Sequence, residues 1–243
     1  MMIELPYLFF VAASAGASVI SAVFGFGTAM VVLAVGSMVL PVKESIALAT
    51  IIFTSNTLIK TWLYRREIDW PLAIWMSLAS LPFAFLGAEV MVWAPVNFMQ
   101  TALGILVLVY VAMQLWKPHG TLPLSKPLIL GASGLYGFLS GLLGTGNVIK
   151  AIFLQRAGLE RHSFVGVMAA TSVLANLAKL GAYSQAGLLT LAHWPAAVGL
   201  VAVSLVSTVA GRAVLHRVNS EQFRIGVLVI LTGIAATLLI GGR

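Results

Sequence analysis

Apolar residues run through this chain in long blocks, and polar residues fall between the blocks rather than alternating within them. Crossing about 30 Å of hydrocarbon takes roughly 20 helical residues at about 1.5 Å each. On that scale the pattern predicts ten helical segments: 5–24, 27–41, 45–64, 71–93, 97–116, 127–143, 146–157, 163–185, 193–215 and 222–241. Two of them are short. Segments 27–41 and 146–157 reach only about 22 and 18 Å, so the glycine-containing turn before each is expected to dip below the membrane surface. Irregular backbone at that depth survives only inside protein or beside a watery cavity. The one sizeable break, Lys117 to Lys126, holds Pro118, Gly120 and Pro123 and divides the chain near its midpoint. The expected organisation is a first transmembrane repeat (1–118), a connector (119–125) and a second repeat (126–243).

Composition agrees with lipid as the solvent. Of 243 residues, 60% are hydrophobic and 9% charged, with a mean hydropathy of +1.03; a soluble domain carries about 25% charged residues. The net charge of +7 does not imply nucleic acid, because the basic residues sit singly or in pairs between apolar blocks. They read instead as orientation signals. If all ten segments cross, Arg65, Arg66, Lys117, Lys126, Arg156, Arg161, Arg212, Arg217 and Arg224 share one side, leaving Lys43 and Arg243 on the other. That asymmetry predicts a multi-pass protein of the plasma (inner) membrane with both termini outside the cytoplasm. No Lys or Arg precedes Lys43, so the first block reads as a retained span rather than a signal peptide. Trp70, Trp93, Trp116 and Trp194 fall at segment ends, as an aromatic belt would.

Chemistry for catalysis is hard to assemble. Cysteine is absent, which removes disulfides, thiolate metal sites and a Cys nucleophile. His119, His162, His193 and His216 lie in loops or at segment ends without metal-ligand spacing. No Ser/His/Asp set or carboxylate pair falls at one depth. The expectation is therefore no catalytic residue, no metal and no cofactor.

The two halves match each other. Gly25-Phe26-Gly27 aligns with Gly144-Thr145-Gly146, and Lys60 and Tyr64 align with Lys179 and Tyr183, all at a shift of 119. Further on, Trp70-Pro71 and Gly87 align with Trp194-Pro195 and Gly211 at a shift of 124. Thr50 and Asn56 in one half answer Thr171 and Asn176 in the other. Five segments per half is an odd number, so the second copy would enter the membrane from the opposite face, as in the inverted repeats of secondary transporters. The fold class expected is all-α, about ten transmembrane segments as two inverted five-segment repeats.

Each glycine turn would present a helix N-terminus, with unpaired N–H groups and about half a positive charge, toward the midplane. Such ends suit an anion. The candidate substrate-binding residues are Gly25, Gly27, Thr28, Thr50, Asn56, Gly144, Thr145, Gly146, Asn147, Lys150, Thr171, Ser172 and Asn176. Lys150 stands about one turn into the seventh segment. Lys60 and Lys179 lie four to six residues from a segment end and are read as snorkelling to the interface, with Glu89 likewise near the end of its helix.

Gly25-Phe26-Gly27, Ala49-Thr50, Ala170-Thr171-Ser172, the two Trp-Pro pairs and the later glycines resemble the TauE/SafE sulfite exporter family, over nearly the whole chain and in both halves. The family half-repeat reads Gly-x-Gly-Gly-Gly, then Pro, then Ala-x-x-Thr-Ser. Here Thr28 and Asn147 replace the third glycine, the following Pro is missing from both halves, and Ile51 follows Thr50. The resemblance implies a membrane carrier of sulfite, sulfoacetate or another organosulfonate or sulfur oxyanion. A carrier of a neutral or cationic metabolite is the alternative, and a membrane-embedded enzyme or assembly subunit is the alternative of another class. The partners expected are a small anionic solute and the lipid bilayer, with oligomeric state open and a homodimer one option.

Overall fold

The computed structural model describes residues 5–24, 28–115, 125–190 and 193–214, and all of 228–240 except 230, 234 and 237. Side chains at 18–24, 28, 30, 114, 155, 161 and 208–214 lie outside that description. The described chain forms α1 (Leu5–Phe24), α2 (Thr28–Val39), α3 (Val42–Leu63), α4 (Trp70–Trp93), α5 (Val96–Leu115), α6 (Lys126–Leu143), α7 (Asn147–Arg156), α8 (Arg161–Gln185) and α9 (Trp194–Val214). The described residues between 228 and 240 are helical too, and no strand occurs among the described residues. Each expected segment is matched to within a few residues wherever it is described. The short pair is shorter still, at 12 residues for α2 and 10 for α7.

Among the described residues, five helices are long and apolar enough to cross a membrane: Val42–Leu63, Trp70–Trp93, Val96–Met113, Lys126–Leu143 and His162–Gln185. Their boundaries follow local chemistry. At the start of α4, the Asp69 carboxylate accepts a hydrogen bond from the Leu72 N–H at 3.1 Å, and Pro71 fills a first-turn position whose N–H has no helical partner. The α6 helix likewise starts with a proline in its first turn and ends at Gly144, whose φ of 79° is left-handed. Trp70, Trp93 and Trp194 are well exposed at helix ends.

The core is built on α3 and α8, which pack against each other. Residues Ser45–Thr50 of α3 and Gly166–Ser172 of α8 are buried without interruption. Around that pair the contacts of one half recur in the other. As α1 packs on α9, α6 packs on α4; α4 lies against α8 as α9 lies against α3; and α1–α2 and α2–α3 are answered by α6–α7 and α7–α8. The first helix of each half thus rests on the fourth helix of the other. The halves interlock rather than standing side by side.

Small residues make the α4–α6 crossing close. A Cβ on Gly141 would meet the Ala84 carbonyl oxygen at 2.1 Å, and one on Gly137 the Ser80 carbonyl at 2.3 Å. From the other side, a Cβ on Gly87 would meet the Phe138 carbonyl at 2.2 Å. Between apolar helices in lipid, van der Waals packing of such small-residue faces takes the role that hydrophobic burial has in water.

One polar cluster ties helix starts together. The Tyr7 hydroxyl donates to Glu44 Oε1 at 2.6 Å, and His193 Nε2 lies 3.2 Å from the same oxygen. The Thr190 N–H donates to His193 Nδ1 at 3.1 Å, which leaves Nε2 as the nitrogen that donates to Glu44. His193, at a segment end as expected, links α9 to α3 and, through Glu44, to α1.

Candidate functional site

The second glycine turn is buried, as its short helix predicts. Gly144, Thr145 and Gly146 are all buried, with Thr145 at 2% exposure, while Asn147 is partly buried. Gly144 closes α6 in the left-handed region, where a side chain is strained by about 1–2 kcal/mol. Gly146 is required for a different reason. Its φ of −124° is ordinary, but a Cβ there would meet the Tyr136 carbonyl oxygen at 2.3 Å. The turn also reaches into the first half, since a Cβ on Gly144 would touch Ile46 of α3 and Leu33 of α2. The matching turn, Gly25 and Gly27, lies outside the described residues, as does the Thr28 side chain.

From this turn α7 carries Lys150 into the core, with no exposed surface. Its Nζ donates to the Met168 carbonyl at 2.8 Å, to Thr171 Oγ1 at 3.0 Å and to Ser172 Oγ. The same nitrogen stands 4.0 Å from the centre of the Tyr136 ring, within range of a cation–π contact. Tyr136 completes the cluster by donating from its hydroxyl to Ser172 Oγ at 3.0 Å. Thr171 and Ser172 spend their own protons along α8, on the Val167 and Met168 carbonyls at 2.7 and 2.9 Å, and so face Lys150 as acceptors.

Lys179 does not snorkel. It is 1% exposed, and its Nζ donates to Ser140 Oγ at 3.1 Å and to the Gly144 carbonyl at 2.9 Å. The snorkelling expectation rested on distance to the helix end, but α6 and its closing turn cover the side chain along the way. Lys179 therefore clamps the glycine turn to α8. Next to it, the Tyr183 hydroxyl donates to the Gly141 carbonyl. Lys60, at the matching position of α3, is partly buried, and Glu89 is partly buried near the end of α4.

Of the residues expected at the site, the structure joins Lys150, Thr171 and Ser172 directly, and places Gly144–Gly146 at the start of their helix. Thr145 Oγ1 lies 3.4 Å from the Asn147 N–H. Asn176 instead donates to Thr57 Oγ1 at 3.3 Å across the α3–α8 contact. Those two positions are themselves 119 apart, the shift that relates the halves. Thr50 returns its hydroxyl to the Ile46 carbonyl of its own helix at 2.9 Å, and Asn56 is buried on α3. Tyr136 and Ser140 were missed. Ser140 carried a signal, because Ser21 stands 119 positions before it; Tyr136 did not, because its counterpart is Ala17.

Two apolar grooves open on the flanks, and they correspond to each other. One, of 510 Å³, lies between α3, α4 and α8 and includes Thr61, Trp70, Ala73 and Ile74. The other, of 820 Å³, lies between α3, α8 and α9 and includes Leu180, Trp194, Ala197 and Val198. Neither is lined by the lysines or by the glycine turn.

Residues 8–238 match the family model of the sulfite exporter TauE/SafE family. The chain belongs to the TauE/SafE family. It is a multi-pass membrane protein of a transporter family, and the polar cluster on α6, α7 and α8 is the feature of its interior that a solute-handling role has to explain. No curated protein and no solved structure matches the chain.

Proposed function

We propose that this TauE/SafE protein is a secondary carrier of a small anion, with sulfite, sulfoacetate or another organosulfonate or sulfur oxyanion as its substrate class. The observation that carries the reading is Lys150: a lysine with no exposed surface, ringed by hydroxyls and a carbonyl, with no carboxylate among its contacts in the described residues. A buried charge in a membrane protein is costly and marks a solute or ion path by default. An ammonium without an acid partner favours an anion over a cation or a neutral solute. Thr171, Ser172 and Tyr136 supply hydroxyls that reorient to donate once an anion arrives. Gly144–Gly146 and Asn147 bring the N-terminal end of α7, with its partial positive charge, to the same region.

The transport cycle we propose is alternating access between two inverted five-segment repeats, 1–118 and 126–243, with ten crossings in the plasma (inner) membrane. The helix contacts that recur between the halves support this, as does the Asn176–Thr57 contact between positions related by the shift of 119. Positions that meet across the shift relating the halves are what an axis relating two copies would produce. Gly25, Gly27 and Thr28 then form the turn that faces Gly144–Gly146 from the other side. Positive-inside counting puts both termini outside the cytoplasm, so a Cys at Ser125 in the Cys-free chain is labelled only from the cytoplasmic side. Labelling of intact cells at that position by an impermeant reagent contradicts the topology.

Purified protein in proteoliposomes tests the function. Sulfite, sulfoacetate, taurine and sulfate are offered beside neutral controls, and at least one sulfur oxyanion enters at well above the protein-free rate. Equal uptake of a neutral isostere contradicts an anion site.

A further inference from the structure

Lys150 and Lys179 belong to one buried network but are hydrogen-bonded differently. Three acceptors surround Lys150, and two of them, Thr171 Oγ1 and Ser172 Oγ, accept in this conformation because their protons go to the Val167 and Met168 carbonyls. Three acceptors and the Tyr136 ring face match the three N–H groups of an ammonium. Lys179 has two acceptors, Ser140 Oγ and the Gly144 carbonyl, and the Phe53 ring stands 6.0 Å away on its remaining side. Two ammonium groups here would repel one another, and burial magnifies that cost.

Among the described residues, the groups facing Lys179 do not relieve it. On α6 these are Tyr136 and Ser140; on α7, Lys150; on α8, Tyr183, whose hydroxyl is taken by the Gly141 carbonyl. On α3 Phe53 is apolar, and Lys60 lies further along the helix. Glu89 of α4 makes no ion pair with either lysine; the ion pair among the described residues joins Glu44 and His193. With no acid beside it among the described residues, a second ammonium finds its compensating charge in the transported anion.

We infer that Lys179 carries the coupling proton: its nitrogen lone pair takes a proton from the aqueous phase together with the anion and returns it when the anion leaves on the other side. The proton adds a third N–H, which donates to the anion beside the Gly144 turn. By reciprocity, anion binding strengthens proton binding by the same factor that the proton strengthens anion binding. A monoanion and its proton cross with no net charge. Because Lys179 also holds the Gly144 carbonyl, the proton acts on the turn that starts α7, so loading is felt by an element able to move.

This inference rests on the anion-carrier reading, and the test separates the two. The probe is methanesulfonate, a monoanion with no titratable group near neutral pH, taken up by wild-type proteoliposomes that hold a pH-sensitive dye. One proton should enter with each anion, and an inside-alkaline gradient of one pH unit should accumulate the anion about tenfold. A potassium–valinomycin potential should leave uptake unchanged. Lys179→Arg, which keeps its proton, should lose gradient-driven accumulation, the inside-to-outside ratio falling from about ten to about one. If that variant does not fold, the wild-type stoichiometry decides alone. Methanesulfonate uptake that follows membrane potential and ignores the pH gradient overturns the proton role and leaves the carrier reading standing. If no anion crosses, the carrier reading falls and this inference with it.

Discussion

The two halves of this protein share their framework but not their chemistry. Ser140, Gly144, Lys179 and Tyr183 form a clamp around the second turn, and Ser21, Gly25, Lys60 and Tyr64 stand 119 positions earlier. At that shift the Lys150 cluster has no such echo. Lys150, Tyr136, Thr171 and Ser172 correspond to Val31, Ala17, Ile52 and Phe53, every one apolar. Ala17, Ile52 and Phe53 are buried in the core, and Val31 packs against it. What recurs in the sequence is the set of residue types that, in the second half, fixes the turn against α8. What occurs once is a cationic, hydroxyl-lined cluster, which is where selectivity for a solute would reside if one half supplies the recognition and both halves supply the movement.

The framework side of the comparison breaks most severely at the helix crossing. Gly141→Leu drives a side chain into the Ala84 carbonyl, already 2.1 Å from a Cβ, and overpacking of this kind costs about 1–3 kcal/mol or more. We expect loss of monodisperse protein in detergent gel filtration, with little transport left. Next comes Lys150→Gln, set against Val31→Ala at the matching position. Removing hydrogen bonds to a charged group at about 1.5–3 kcal/mol predicts about 10- to 150-fold weaker anion binding, whereas Val31→Ala should change affinity less than about threefold; isothermal titration measures both. Equal losses at the two positions would erase the asymmetry between the halves.

Tyr136→Phe sharpens the same contrast at smaller amplitude. The ring face stays under Lys150 and one neutral hydrogen bond to Ser172 goes, worth about 0.5–1.5 kcal/mol, so anion affinity should fall about 2- to 10-fold with the melting temperature nearly unchanged. Asn176→Ala removes the 3.3 Å contact to Thr57 and should lower transport rate by less than about threefold without altering which anion is preferred. A changed preference would move Asn176 from the helix contact into the recognition site.

Helix positions were legible in the sequence because hydrocarbon thickness imposes a length that hydropathy reports directly, and the shortness of α2 and α7 was visible in the same way. Helix partners were not. Nothing in one sequence says that the small face of α6, Gly137 and Gly141, meets α4 rather than α1 or α8. The Lys150–Thr171–Ser172 grouping was half legible, since Lys150 stood out as a buried cation and Thr171 as a repeated residue, but their contact depends on how α7 leans on α8. Lys179 was misjudged because proximity to a helix end says nothing about what covers the route to it. Gly146 is held by lack of space beside the Tyr136 carbonyl, a contact from α6 that its own turn does not announce.

Anion binding to wild type and Lys150→Gln, measured in parallel with a neutral isostere of the same sulfur compound, tests the central claim most directly. The account predicts that wild type binds the anion and not the isostere, and that Lys150→Gln weakens the anion at least tenfold while remaining folded by thermal melt. Anion affinity unchanged in folded Lys150→Gln protein, or an isostere bound as tightly as the anion, would contradict it.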